Sequence, residues 1–128
     1  MLRAGGVVVA AAISRHASLL DGVCRGLIDD PEFLPILERD LREGQHRNPT
    51  SRLDYFTTAY FHLPAELGEE ARAAGLAVEG PAWLMPDLEA RWRDERRRRP
   101  LLDLLRQIEA DPAVLSMSAH LLLVAHKV

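Results

Sequence analysis

The stretch that decides the fold reads VVVAAAI and occupies Val7–Ile13. All seven residues are apolar, without the alternation of polar residues that marks a strand with one face in water. A continuous apolar run of this kind is typical of a strand that is covered on both faces in a parallel sheet. The run therefore predicts a central β-strand in an α/β domain.

Three polar residues follow this strand directly: Ser14, Arg15 and His16. In open α/β sheets, ligands bind just beyond the carboxyl ends of the strands. We expect the rim of a binding site at this position. Capping and solvation of an ordinary loop is the alternative explanation for the same three residues.

Residues 17–62 predict a helical insertion. Apolar residues recur at helical spacing from 17 to 28, and Asp30 followed by Pro31 is the signature of a helix N-terminus, with Gly44 expected to end that second helix. The residues expected on its buried face are Phe33, Leu37 and Leu41. A polar loop then leads to residues 55–61, which are β-prone and predict an extended segment.

The remaining half predicts a helix, a short strand, more helices and a closing strand. Pro64 should begin a helix that Gly75 ends, and residues 76–78 should form the short strand. Residues 87–99 and 101–110 have helical character, and Pro100 is expected to end or kink the pair. Asp111 before a proline predicts another helix cap, and the apolar run at 118–127 predicts a final strand.

Length and composition exclude several classes of protein. A chain of 128 residues allows one domain, and a net charge of −3 lacks the basic surplus of a dedicated nucleic-acid binder. The longest apolar run is far below the roughly 18 residues needed to cross a bilayer. With one cysteine and no zinc-ligand spacing, we expect neither a disulfide nor a metal site, and we predict a cytoplasmic protein.

Several single residues receive structural interpretations. Cys24 lies on the apolar side of the first predicted helix and is expected to be a buried small hydrophobe, while Trp83 and Trp92 are expected to anchor the core. His120 and His126 lie on the final strand without a third metal ligand, so we interpret both as core or surface histidines.

Three segments resemble the C-terminal half of class I S-adenosylmethionine-dependent methyltransferases. Residues 2–6, LRAGG, resemble the turn before the family's fifth strand, with Ala4 in place of a usual proline. Residues 64–76 resemble the helix that enters its sixth strand, and residues 118–125 its last strand, which runs antiparallel between the other two. Together the segments extend over nearly the whole chain.

The resemblance implies a fold and an activity. It implies the C-terminal portion of a Rossmann-like sheet with about three strands, the last antiparallel, and a helical insertion. The single partial domain would divide into a central strand and rim (1–16), the insertion or lid (17–62) and a helix, strand, helices and final strand (63–128). Its function would be methyl transfer from S-adenosylmethionine to a small-molecule acceptor.

The resemblance also implies that the donor site is missing. The family holds S-adenosylmethionine with a Gly-rich turn after its first strand and an acidic residue at the end of its second, and neither has a counterpart here. We therefore expect this chain alone to be inactive and not to bind the cofactor. Met1 falls inside the LRAGG turn, which suggests a recorded sequence that begins late.

The candidate substrate-binding residues come from the strand end and from the insertion. They are Ser14, Arg15, His16, His46, Arg47, Asn48, Tyr60 and His62. By the resemblance, the insertion would supply a lid or substrate wall, and a histidine beside the acceptor could act as a general base. The alternatives are turn chemistry at Asn48 and surface packing of His62.

The sequence also fits a second function, as a binding module. Strands with unpaired edges recruit partners. The chain is therefore also consistent with a non-catalytic, truncated protein that dimerises or binds another chain through its open strand edges.

Overall fold

A computed structural model describes residues 3–71 and 74–126 of the chain. It contains both helices and strands, with 3-10 turns between some of them. In chain order the elements are β1 (Val7–Ile13), α1 (Ala17–Arg25), α2 (Leu34–Glu43), β2 (Gln45–His46), β3 (Ala59–Tyr60), α3 (Pro64–Ala71), β4 (Ala74–Ala77), α4 (Leu88–Arg93), α5 (Glu95–Leu105), α6 (Pro112–Leu115) and β5 (His120–His126).

The main sheet has three strands in the order β1-β5-β4. β5 is antiparallel to both neighbours, with Val7 opposite His126 at one end of the β1–β5 ladder and Ile13 opposite His120 at the other. A mixed α/β domain with a three-stranded main sheet, whose last strand is antiparallel and central, is confirmed. Because β5 runs antiparallel to β1, the start of β5 lies beside the carboxyl end of β1.

The prediction that β1 is a central strand covered on both faces is wrong for the described residues. β1 is an edge strand, and Val7, Val8 and Val9 are 49%, 37% and 61% exposed. Apolar continuity indicates a strand suited to burial, but it does not identify what buries it. Only β5 pairs with β1 in the described part of the chain.

Two hydrophobic clusters hold the domain together. One joins the sheet to its helices through Leu67, Leu121 and Leu123, and partly buried Leu115 packs against it. The other lies inside the insertion and has four buried members. They are Phe33, Ile36, Leu37 and Tyr55. The insertion therefore has a small core of its own, which lets it form a wall beside the sheet.

Within the insertion, helix boundaries differ from those predicted. The first helix ends at Arg25, because Gly26 adopts a left-handed conformation with φ 70°. Asp30 is not the N-cap of α2: its carboxylate accepts from the backbone N–H of Glu32, and α2 begins only at Leu34. Gly44 ends α2 as predicted. Leu41 is exposed, and Ile36 takes the buried position. The predicted extended segment is a strand only at Ala59–Tyr60, after a 3-10 turn at Leu53–Tyr55.

In the second half, the predicted elements are present with shifted ends. Gly75 lies inside β4 rather than at the end of the preceding helix. The break between α4 and α5 comes at Asp94, whose carboxylate accepts from the N–H of Arg96 at 3.0 Å, and Pro100 lies inside α5. The cap at Asp111 is confirmed.

Some predicted core side chains are exposed. Cys24 is exposed, and so is Trp92, while Trp83 is partly buried and donates from its indole nitrogen to the carbonyl of Met117 at 2.9 Å. No helix in the described ranges is both long and apolar enough to cross a membrane.

Candidate functional site

A cavity of about 390 Å³ opens where β1 ends and the insertion begins. Ile13 of β1 forms its floor, with Ser18 of α1 on one side and His120 of β5 on another. Aromatic side chains supply much of the remaining wall. They are Phe33, Tyr55, Phe56, Phe61 and Trp83. The cavity thus lies at the sheet end where the sequence predicted a site, and its character is aromatic.

Ser14, Arg15 and His16 do not themselves line this cavity. Ser14 is fully buried, and its hydroxyl accepts from the N–H of His16 at 3.3 Å. Its backbone N–H donates to the carbonyl of Ala119, and Ser14 forms an isolated parallel β-bridge with His62. Ser14 and Arg15 therefore connect β1 to its neighbours, since the N–H of Arg15 also donates to the carbonyl of His62. A substrate-contacting role for the three residues stays a prediction.

Arg15 is buried and lies at the centre of a partly exposed polar cluster. Its Nη2 donates to both carboxylate oxygens of Glu66, at 2.9 and 2.8 Å, and to the hydroxyl of Tyr60 at 3.2 Å. Its Nε donates to the carbonyl of Phe61 at 3.4 Å. Arg15 thereby fastens the end of β1 to β3 and to the first turn of α3. The hydrogen bond to Phe61 also holds one residue of the cavity wall in place.

His46 belongs to a buried chain of polar side chains. Its Nδ1 lies 2.7 Å from Oδ2 of Asp40, which also accepts from the hydroxyl of Ser18 at 2.5 Å. Its Nε2 lies 2.8 Å from the carbonyl of Tyr55. Since both ring nitrogens face acceptors, the ring satisfies both only as an imidazolium that donates twice.

The environment of His46 favours that charged form. Burial lowers the pKa of His46, but the hydrogen bond and charge of Asp40, together with the hydrogen bond to the carbonyl of Tyr55, raise it by more, so the net pKa lies above the ordinary 6.5. The ring also stacks on Phe61 with centroids 4.9 Å apart. Serine, aspartate and histidine here do not form a hydrolytic triad, because the hydroxyl of Ser18 donates to the carboxylate and not to the ring. The linked side chains of Ser18, Asp40 and His46 are structural, and they hold the aromatic wall of the cavity in place.

Asn48 shapes the loop that carries Phe56. Its amide nitrogen donates to the carbonyls of Arg52 and Phe56, both at 2.8 Å, and its oxygen accepts from the N–H and hydroxyl of Thr50. Phe56 has φ 67° and ψ −173°, a combination that is populated almost only by glycine and is costly for a phenylalanine. Arg47 is exposed. Asn48 thus stabilises a turn, which is the alternative that the sequence offered to substrate binding.

Tyr60 and His62 line a second cavity, of about 290 Å³, beside the last residues of β1. Their rings meet edge to face with centroids 4.8 Å apart. Ile13 and His120 line both cavities. The two insertion residues are therefore near the main cavity but not in its wall.

The sequence analysis missed a cluster at the start of β5. One carboxylate oxygen of Glu79 pairs with Nδ1 of His120. The other accepts from the hydroxyl of Ser118 at 2.8 Å and from the N–H of His120 at 3.0 Å. Burial raises the pKa of Glu79, but the hydrogen bonds from Ser118 and His120 lower it by more, so the net pKa is depressed. The predicted antiparallel direction of β5 was the available signal, because it places His120 at the rim.

Comparison with protein-family models gives no match to this chain, and comparison with curated proteins gives none either. Across residues 3–71 and 74–126, no three His, Cys, Asp or Glu side chains come together in a way that could hold a metal ion.

Proposed function

We propose that this chain is the acceptor-binding portion of a class I S-adenosylmethionine-dependent methyltransferase, and that the main cavity holds a small-molecule methyl acceptor. The observation that carries the proposal is the sheet: β5 runs antiparallel between β1 and β4, the arrangement that the resemblance implies. The cavity lies at the carboxyl end of β1, where ligands bind in open α/β sheets.

The size and lining of the cavity suit a small aromatic acceptor. Its volume of about 390 Å³ is near the lower end of the range for small-molecule sites. Aromatic walls bury a flat ligand by stacking, and aromatic pairs add roughly 0.5–1.5 kcal/mol each beyond the area they bury. Polar and charged side chains complete the lining: Ser18, Asp21, Arg25, His46, Asp54 and His120.

The surrounding residues act by fixing the walls. His46, held by Asp40, sets the position of Phe61, and Asn48 sets that of Phe56. Arg15 ties the same wall to the sheet. A pre-formed pocket lowers the cost of ordering on binding, which is how these contacts would contribute to acceptor affinity.

The described residues do not fit the methyl donor. The glycines at positive φ are Gly5, Gly26, Gly44 and Gly80, and none of these four lies in a turn that leads from a strand of the sheet directly into a long helix. A Gly-rich turn of that kind is what cradles a nucleotide-like cofactor at a helix N-terminus. We therefore derive no step through S-adenosylmethionine, and the proposal gives this chain the acceptor side alone.

One experiment tests acceptor binding. Backbone NMR shifts are followed while small phenols, anilines and aliphatic alcohols are added to the chain, with Phe56→Ala as the cavity variant and Leu104→Ala on α5 as the control. We expect saturable shifts around the cavity for the aromatic compounds, weakened by Phe56→Ala and unchanged by Leu104→Ala. Shifts scattered over the surface would contradict the assignment of the cavity.

A second experiment tests methyl transfer. The genomic sequence upstream of Met1 is read in frame, and any extended product is assayed for transfer of a labelled methyl group to the compounds that bind. We expect a Gly-rich strand–turn–helix upstream and transfer that Phe56→Ala reduces. A stop codon directly upstream, together with no transfer by the chain, would refute the methyltransferase proposal.

The exposed edge of β1 favours a second candidate function, dimerisation with another copy of this chain. Val7–Ile13 contains no charge and no proline, the features that normally guard an edge strand. Antiparallel pairing about Val9 would place Val7 of one copy opposite Ala11 of the other, which gives a self-complementary, two-fold interface. This register leaves out Ile13, whose carbonyl already accepts from the N–H of His62.

Light scattering over a concentration series tests this candidate. We expect a dimer that Val9→Lys dissociates, because the lysine would bury a charge beside the new strand pair. Val23→Lys is the control, since Val23 is similarly exposed but lies on α1. A monomer at every concentration would rule the dimer out.

A further inference from the structure

The start of β5 holds a histidine in one fixed orientation. Nδ1 of His120 pairs with one oxygen of the Glu79 carboxylate, and the backbone N–H of His120 donates to the other at 3.0 Å. Ser118 fixes the carboxylate in turn, since its hydroxyl lies 2.8 Å from Glu79 and accepts from the N–H groups of Glu79 and Gly80 at 3.1 and 3.2 Å. The carboxylate therefore cannot turn away without breaking several hydrogen bonds.

This orientation determines which ring nitrogen carries the proton. A carboxylate accepts hydrogen bonds, so Nδ1 of His120 must be the protonated nitrogen. In the neutral ring, Nε2 then carries the free lone pair. The described residues supply no hydrogen bond to Nε2. The side chain is 53% exposed and lines both cavities.

Only one of the two histidines that line the main cavity can accept a proton there. His46 is 1% exposed and uses both ring nitrogens in hydrogen bonds to Asp40 and Tyr55. His120 uses only Nδ1, which pairs with the Glu79 carboxylate, and leaves Nε2 available to accept a proton. The two rings therefore have different roles, one structural and one chemical.

We propose that His120, oriented by Glu79, is the proton acceptor of the main cavity, and that the cavity takes an aromatic molecule with an ionisable hydroxyl group. This inference rests on the proposed function, because it names the chemical class of the acceptor in the same cavity. The O–H bond of the phenol breaks, its proton moves to Nε2 of His120, and its electron pair stays on oxygen as a phenolate. The imidazolium keeps its Nδ1 proton and is held by the Glu79 carboxylate.

The test uses the chain itself with 4-nitrophenol as the probe, because its phenol and phenolate forms absorb differently. At a pH below the probe's own pKa, we expect the bound probe to be enriched in phenolate by about tenfold, the effect of lowering its apparent pKa by one unit. His120→Gln should remove the enrichment while the probe still binds. His126→Gln is the matched control on the same strand and should behave like the wild type.

The role of Glu79 has its own readout. Nitrogen-15 NMR of the imidazole rings should show neutral His120 in its Nδ1–H form, and Glu79→Gln should reduce both that preference and the phenolate enrichment. Enrichment that survives His120→Gln, an equal loss in His126→Gln, or no binding of the probe would each overturn the inference.

Failure of this inference and failure of the proposed function are distinguishable. Phenolate enrichment that depends on His120, without methyl transfer by any extended product, would keep the inference and refute the methyltransferase. Methyl transfer at a rate that His120→Gln leaves unchanged would do the reverse.

Discussion

Replacing Gly44 by alanine should destabilise the fold far more than the same change at Gly26. Both glycines end a helix at φ 70°, and each donates its N–H to the carbonyl four residues earlier. A Cβ at Gly26 would meet nothing within 4 Å. A Cβ at Gly44 would collide with the carbonyl oxygen of Phe61 and lie 2.9 Å from Nη2 of Arg15.

The expected magnitude follows from these surroundings. The left-handed conformation alone costs an alanine roughly 1–2 kcal/mol, and this is the whole expected cost at Gly26. At Gly44 the collision is with backbone, so Phe61 must move. That movement strains the hydrogen bond from the N–H of Phe61 to the carbonyl of Gly44, at 2.7 Å, and the one from Arg15 to Phe61. Each is worth about 1 kcal/mol, so Gly44→Ala should cost about 3–4 kcal/mol in total.

Urea unfolding followed by circular dichroism measures both variants against the wild type. We expect the free energy of unfolding of Gly44→Ala to lie about 2 kcal/mol below that of Gly26→Ala, a difference larger than the usual extrapolation error. Equal losses in the two variants would refute the close approach of α2 to the segment before α3, and with it the described wall of the cavity.

Three further predictions concern the charged groups and the cofactor. Because the folded-state pKa of His46 is raised above 6.5, its stabilising contribution should be complete below pH 6.5 and lost as the pH rises through the raised value. Urea unfolding from pH 6 to 9 measures this dependence. Asp40→Asn should flatten the pH profile and lower the free energy of unfolding by about 3–5 kcal/mol. Arg15→Met should cost about 2 kcal/mol in the same assay, whereas Arg42→Met, which removes an exposed pair, should cost about 0.5 kcal/mol or less. Calorimetry should detect no saturable binding of S-adenosylmethionine to this chain.

Each of these predictions has a contradicting result. Stability that rises with pH in this range would show that His46 is neutral in the folded protein. Equal costs for the two arginine variants would show that the Arg15 cluster does not hold the wall. Saturable binding of the cofactor would place a donor site in this chain.

The elements of the sheet could be predicted because their signals are local. The apolar runs at Val7–Ile13 and at the final strand fixed two long strands, and the resemblance supplied their order. The helix end at Gly44 and the cap at Asp111 were found for the same reason: a left-handed glycine and an N-terminal carboxylate act within one turn.

Burial and side-chain pairing could not be predicted, because they depend on what is near in space. Cys24 and Trp92 lie in helical patterns, but a pattern does not state how wide the covered stripe is. Arg15 was identified as a rim residue from its position after β1, yet its partner Glu66 is 51 residues away. Glu79 and His120 are 41 residues apart, so only the strand direction could have suggested that they meet.

The central position of β5 also bears on how the protein is made. β5 is the last of the described strands to leave the ribosome, yet both β1 and β4 pair with it and not with each other. Until it emerges, the valines of β1 have no partner strand in the sheet, and the two outer strands cannot be joined. Pairings that close such long loops form slowly, and strands that wait for them expose apolar edges. We expect the sheet to form only after β5 has emerged, and the nascent chain to depend on chaperone protection until then.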